Sequence, residues 1–220
     1  MKTESLCLHA GYEPGNGEPR VLPIVQSTTF KYATTAEVAK LFDLAEAGFF
    51  YSRLGNPTVD AVEQKIAALD GGVGALCTSS GQAASMLSLL NVAQSGDHVV
   101  SAASIYGGTF NLFAVTLKKL GIEVTFVDQT ASEAELEKAF RPNTRAVFGE
   151  TLSNPSMDVL DIERFANLAH RHRLPLIIDN TFATPVLCRP FEFGADIVVH
   201  STTKYMDGHA LQVGGVIVDS

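Results

Sequence analysis

The sequence has little of what marks several common protein classes. Its 220 residues hold three cysteines, Cys7, Cys77 and Cys188, widely scattered and with no CxxC spacing. That pattern suits reduced thiols and argues against a disulfide framework or a zinc site. Of the six histidines, His170 and His172 sit in a basic helix end, where they complement the dipole. His200 and His209 lack carboxylate or cysteine partners at ligand spacing, so no metal site is expected. The net charge of −8 is spread along the chain without a basic block, which excludes nucleic acid as the main partner while leaving room for a small anion in a local pocket. The opening MKTESLCLHAGY has no apolar stretch behind its basic residue and does not read as a signal peptide. No apolar run approaches the length of a membrane span, so the expected location is the cytoplasm. Neither a GxGxxG fingerprint nor a Walker A loop is present, and a nucleotide-dependent oxidoreductase loses its main support.

What is present is ample core material: 46% hydrophobic against 18% charged residues. From residue 58 onward, helical periodicity alternates with short apolar runs. TVDAVEQKIAALDGG predicts a helix stopping at Gly71-Gly72, and GALCTSSGQAASMLSLLNVAQSGD a strand, a small-residue turn and a helix from about Gly81. HVVSAA, IEVTFVD, RAVFGE, LPLIID and DIVVHS predict strands, separated by the helical stretches GTFNLFAVTLKKLG, SEAELEKAFRP and IERFANLAHRHR. Ser132 and Glu135 form a capping-box pattern. Apolar runs without strict alternation belong to strands covered on both faces, so the expected fold class is α/β: a three-layer α/β/α domain on a mainly parallel sheet.

Residues 1–57 differ. Pro14, Gly15, Gly17, Pro19 and Pro23 interrupt regular structure, and the polar QSTTFKYATTAEV follows, so this segment is expected to be an arm packing on a neighbouring subunit. Residues 58–220 form the large domain. It is expected to be incomplete at its C-terminal end, because GGVIVDS is a core-type strand with nothing after it to cover it.

In doubly wound sheets ligands gather at the carboxyl ends of strands. Here those ends are Ser79-Ser80-Gly81, Ser104–Tyr106, Glu150–Asn154, Asp179-Asn180 and Ser201–Lys204, and they hold nearly all the unusual polar chemistry. Lys204 follows an apolar strand, where desolvation would leave a nucleophilic amine suited to a Schiff base; a lysine merely reaching solvent is the ordinary alternative. Ser201 and Thr203 beside it suit phosphate oxygens. Asp179 closes an apolar run and could face a protonated ring nitrogen, or simply cap the next turn. Gly81 opens a strand-to-helix turn with free N–H groups, an anion site or plain tight packing. Tyr106, before two glycines, could stack on a flat heterocycle. Asn154 precedes Pro155 in a turn, and Tyr51 and Arg53 form a phenol–guanidinium pair in a polar loop.

Together, YSRLGNPT, SSGQAA, IYGGT, ETLSNP, IDNTFATP and HSTTKYMDGH, in this order from residue 51 to residue 209, resemble the Cys/Met-metabolism family of enzymes dependent on pyridoxal 5'-phosphate (PLP). That resemblance implies the aspartate aminotransferase fold type, with a small C-terminal domain absent from these residues. It implies Lys204 as the Schiff-base lysine and proton shuttle, Asp179 as the partner of the pyridine nitrogen and Tyr106 as the ring-stacking tyrosine. Gly81 and Gln82 (through backbone N–H), Ser201 and Thr203 would hold the phosphate, and Asn154 would lie near the ring oxygen. Tyr51 and Arg53 would reach the phosphate of a neighbouring subunit's cofactor, within a homodimer or homotetramer. Within the family, GFFYSRLGNPTVDAVEQKIAALDGG and YGGTFNLFAVTLKKLGIEVTFVD resemble O-acetylhomoserine sulfhydrylases. The implied reaction is γ-replacement of acetate by sulfide or a thiol. Cystathionine γ-synthase, cystathionine γ-lyase and methionine γ-lyase are the nearest alternatives. Methionine γ-lyases often carry a cysteine where this chain has Gly108, which weighs against that activity. A non-catalytic PLP-binding fragment is the alternative of another class.

Overall fold

A computed structural model describes all residues 1–220. Seven strands form one sheet: β1 (Gly74–Thr78), β2 (His98–Ala102), β3 (Glu123–Val127), β4 (Thr144–Glu150), β5 (Leu176–Asp179), β6 (Ile197–His200) and β7 (Gly215–Asp219). Their order is β1-β7-β6-β5-β4-β2-β3. β3, β2, β4, β5 and β6 run parallel, while β7 runs antiparallel to both β1 and β6. All five residues of β2 are buried, and Val147, Phe148, Leu176, Ile177 and Ile178 are inaccessible. Burial of successive residues requires cover on both faces, as the unalternated apolar runs imply.

Helices supply that cover, each started by a local signal. Asn56 accepts the N–H of Thr58 at the head of α3 (Pro57–Asp70), which Gly71 ends at φ +83° in the left-handed region. Ser80 accepts the N–H of Ala83 to start α4 (Gly81–Val92). Asp161 caps α7 (Ile162–Arg171), whose Ile162, Phe165, Ala166, Leu168 and Ala169 are buried. At α6 (Glu133–Glu137) the expected capping box forms between Ser132 and Glu135. The helix expected from Gly107 is less regular than its sequence: α5 (Gly107–Asn111) passes into a π-helical stretch, Leu112–Leu117. There Phe113 turns edge-on to Phe148, ring centroids 4.8 Å apart.

The N-terminal segment is more regular than its prolines and glycines suggest. It contains α1 (Thr3–His9) and α2 (Thr35–Phe42). Thr34 and Glu37 cap α2 reciprocally, a T-x-x-E signal present within the stretch read as simply polar. Contacts with α3 of the same chain tie the segment down: Lys65 Nζ donates to the carbonyl of Cys7, and Val25 N–H to the hydroxyl of Thr58. The short α8 (Thr184–Leu187) and a 3₁₀ turn at Pro190–Phe193 lead from β5 towards β6. No helix is long and apolar enough to cross a membrane.

Candidate active site

Because β7 is antiparallel to β6, its first residue stands at the same sheet edge as the carboxyl ends of β1, β5 and β6. Three backbone segments crowd together there. A Cβ on Gly81 would lie 2.5 Å from Ser201 Cβ, and one on Gly215 would lie 2.2 Å from the carbonyl oxygen of Ser80. Glycine is therefore required at both positions by close approach. The amides opening α4 consequently face the loop after β6, a small polar cradle where a phosphate would find N–H donors and the positive helix end.

The next strand end carries Asp179. Its Oδ1 accepts the Thr181 hydroxyl at 2.6 Å and the Thr181 N–H at 3.0 Å. The same hydroxyl accepts the N–H of Ser201 at 2.7 Å. Thr181 thus bolts the acid to the cradle in a donor–acceptor chain, and Asp179 Oδ2 takes no hydrogen bond from the protein. Burial pushes the Asp179 carboxyl up, opposed by the two Thr181 bonds and by His200. His200 is itself buried against Asp70, Nε2 to Oδ2 2.8 Å.

Across β5, Glu150 is the register partner of Asp179. It is 5% exposed, and its Oε2 accepts the N–H of Tyr106 at 2.5 Å. Burial, with Asp179 nearby, pushes its carboxyl up to about 8. Tyr106 is 47% exposed, and its ring lies over Gly108, where a Cβ would meet ring Cε1 at 2.5 Å. Gln82 donates its side-chain amide to Thr109 at 2.9 Å, which ties the head of α4 to α5.

Structure therefore brings together Gly81, Gln82, Tyr106, Asp179 and Ser201, by bonds or by backbone proximity. Thr203 lies in the same loop, but its hydroxyl donates to the Gly214 carbonyl and accepts the Gly214 N–H. It pins that loop to the start of β7 and directs its proton away from any phosphate. Lys204 follows in the turn and is exposed; the desolvation expected from its position after an apolar strand is not supplied by the residues packed around it here. Asn154 is exposed, while its neighbour Ser153 is buried and holds the loop through the Ser156 hydroxyl and the Asp158 N–H. Tyr51 and Arg53 belong to the N-terminal segment: Tyr51 pairs with Thr29, and the Arg53 guanidinium sits 4.9 Å from the Tyr51 ring centroid. Neither bonds to a strand-end residue.

Two participants escaped sequence reasoning. Thr181 has a readable signal, since an Asp followed two residues later by Thr suits a local side-chain turn. Glu150 has none beyond being an acid at a strand end, because its partner is 44 residues away.

PLP chemistry fits these residues on three counts. Asp179 presents a free oxygen, Gly81 keeps the cradle clear of side chains, and Lys204 makes no ion pair or hydrogen bond through its amine.

Comparisons with known proteins agree. Residues 4–220 match the profile of the Cys/Met metabolism PLP-dependent enzymes. O-acetyl-L-homoserine sulfhydrylase of Leptospira meyeri is 48% identical over 220 residues, all of this chain and 50% of that protein. Its Corynebacterium glutamicum counterpart is 48% identical over 217 residues, 98% of this chain and again 50% of the relative. Among solved structures, an O-acetylhomoserine (thiol)-lyase from Campylobacter jejuni, bearing a pyridoxyl-lysine monophosphate, superposes with a TM-score of 0.95. It is 40% identical and covers 100% of this chain and 54% of its own. Cystathionine γ-lyase from Lactobacillus plantarum, crystallised with L-serine, gives 0.90 at 36% identity, covering 100% and 55%. The chain spans about half the length of these relatives.

Proposed function

The chain belongs to the Cys/Met-metabolism family of PLP-dependent enzymes, and from that membership we propose that the whole protein converts O-acetyl-L-homoserine and sulfide to homocysteine and acetate. In this reaction the Cγ–O bond breaks, a Cγ–S bond forms, and acetate carries away the electron pair; methanethiol in place of sulfide gives methionine. The observation that carries the reading is the linked set of strand ends: Asp179 tied through Thr181 to Ser201, and Ser201 packed against Gly81.

When bound, PLP supplies an electron sink for loss of the substrate's α-proton. The chain's own residues do the rest. Lys204 would provide the amine for covalent attachment and, once released from it, would move the protons at Cα and Cβ of the substrate, the Cβ proton leaving before acetate and returning after sulfur has added at Cγ. Asp179, through its free Oδ2, would hold the cofactor's ring nitrogen protonated. The N–H groups of Gly81 and Gln82, with the Ser201 hydroxyl, would hold the phosphate. Thr203 belongs to this cradle chiefly as the residue that fixes its loop, and Asn154 would lie near the cofactor's ring oxygen. Tyr106 would cover one face of the cofactor ring and assist departure of acetate.

Tyr51 and Arg53, anchored to the N-terminal segment rather than to the strand ends, suit a second subunit's phosphate. That supports a homodimer or homotetramer with shared sites, in which residues 1–57 contact the neighbour. Gly108, standing where methionine γ-lyases often carry a cysteine, supports replacement chemistry over that of methionine γ-lyase. A cytoplasmic location accords with all three cysteines being free.

The decisive experiment is Lys204→Ala in the full-length protein. The visible absorbance of lysine-bound PLP should vanish, and γ-replacement should fall by about a thousandfold or more. A borohydride-reducible PLP adduct that persists in the variant would defeat the assignment.

A further inference from the structure

The sheet order contains one switch point, where successive connections leave in opposite directions. The chain passes from β2 outward to β3, and from β4 the other way to β5. Crevices at such points are where doubly wound sheets take ligands. The Glu150–Tyr106 hydrogen bond spans this crevice, joining the residue that ends β4 to the loop after β2.

Glu150 has little freedom. Beyond its strand, Thr151 N–H still donates to the Asp179 carbonyl at 3.0 Å and Leu160 N–H to that of Thr151 at 3.1 Å. Strand register places its side chain on the same face as that of Asp179. Two acids on one buried face disfavour each other's ionisation, an expensive way to satisfy a single amide. Burial, with Asp179 nearby, pushes the Glu150 carboxyl up to about 8, and favouring its neutral form lessens the conflict with Asp179. The tyrosine needs some such anchor, because its ring is half exposed and its hydroxyl makes no hydrogen bond to the protein. Gly108, beside the ring, has no side chain to hold it.

We propose that Glu150 is a positioning residue of the active site, which by clamping the backbone N–H of Tyr106 across the switch point fixes the tyrosine ring over the place of the cofactor ring. The inference rests on the PLP reading above and extends it to a residue outside the set that touches the cofactor. It requires that the contribution of Glu150 pass through the ring of Tyr106.

A double-mutant cycle on PLP binding tests that requirement. Apo full-length protein is titrated with PLP, and the dissociation constant is read from absorbance for the parent, Glu150→Met, Tyr106→Ala and the double variant. Methionine fills the buried volume without an acceptor, and thermal melting checks that each variant is folded. Glu150→Met should weaken PLP binding by about tenfold in the parent and by less than about twofold once the Tyr106 ring is gone. Glu150→Gln, whose amide oxygen still accepts the N–H, should bind PLP within about threefold of the parent. Equal losses in both backgrounds, or no loss in Glu150→Met, would overturn the inference while leaving the PLP assignment intact. A parent that forms no lysine-bound PLP would remove the assignment and this inference together. If Glu150→Met does not fold, the glutamine variant decides: weakening by more than about tenfold in a folded Glu150→Gln protein overturns the inference.

Discussion

The backbone of Gly81 runs against Ser201 so closely that a Cβ at position 81 would stand 2.5 Å from the serine Cβ and 2.9 Å from its Cα. No rotamer relieves a contact with backbone. Gly81→Ala should therefore cost about 1–3 kcal/mol in denaturant unfolding and weaken PLP binding as the α4 amides are pushed off the loop after β6. A variant as stable as the parent would mean that the two segments separate freely.

Gly108 makes an instructive contrast. The atom a Cβ would strike there belongs to the Tyr106 ring, which is half exposed and can swing away. Gly108→Ala should change stability by less than about 0.5 kcal/mol yet lower kcat/KM by about tenfold, because the displaced ring no longer covers the cofactor. Thermal melting and steady-state kinetics on one preparation separate the two effects.

Asp70 and His200 are fully buried and joined at 2.8 Å, while Asp70 Oδ1 and His200 Nδ1 find no partner. Each is satisfied only by the other. Asp70→Ala should cost about 3 kcal/mol or more, since the imidazole would be left in the core without an acceptor. Asp70→Asn, retaining a polar oxygen, should cost less; equilibrium unfolding of the two variants checks the order.

His98 opens β2 at the far end of the sheet, its ring nitrogens bonded to Thr144 at 2.9 Å and Thr125 at 2.8 Å. Burial, helped by Arg141, pulls it down to about 4 from the ordinary 6.5. The folded state then resists a proton that the unfolded chain accepts. The contribution of His98 is intact above about pH 6.5, is lost progressively as pH falls towards 4, and changes no further below that. His98→Gln should flatten the difference in unfolding free energy between pH 7 and pH 4 relative to the parent. Parallel pH profiles for the two proteins would contradict the assignment.

Much of this molecule was readable from residues alone, for physical reasons that can be named. Periodicity placed the helices after residue 58, because amphipathic faces must meet a sheet covered on both sides; Gly71 and Ser132 marked a stop and a start through local bonds. The five strand ends converged as the rule for doubly wound sheets requires. What stayed hidden depends on distant partners. GVIVD reads alike in either direction, so nothing local reports that β7 is antiparallel. Leu112–Leu117 carries no mark of its π-helical hydrogen bonding, since the same apolar spacing suits an α-helix. Lys204 was expected to be desolvated, but exposure depends on what packs over its loop. Thr34 and Glu37 did announce a helix, and the prolines before them obscured it.

The placement of β7 between β1 and β6 has a consequence for synthesis. β1 bonds to no other strand, so from the moment Thr78 leaves the ribosome until Gly215 follows, its edge has no template. More than a hundred residues must emerge first. Contacts of such sequence separation form late and slowly, and an unmated strand is a place where two nascent chains can pair wrongly. The parallel strands between them can assemble during translation, but pairing of β1 into the sheet waits for β7.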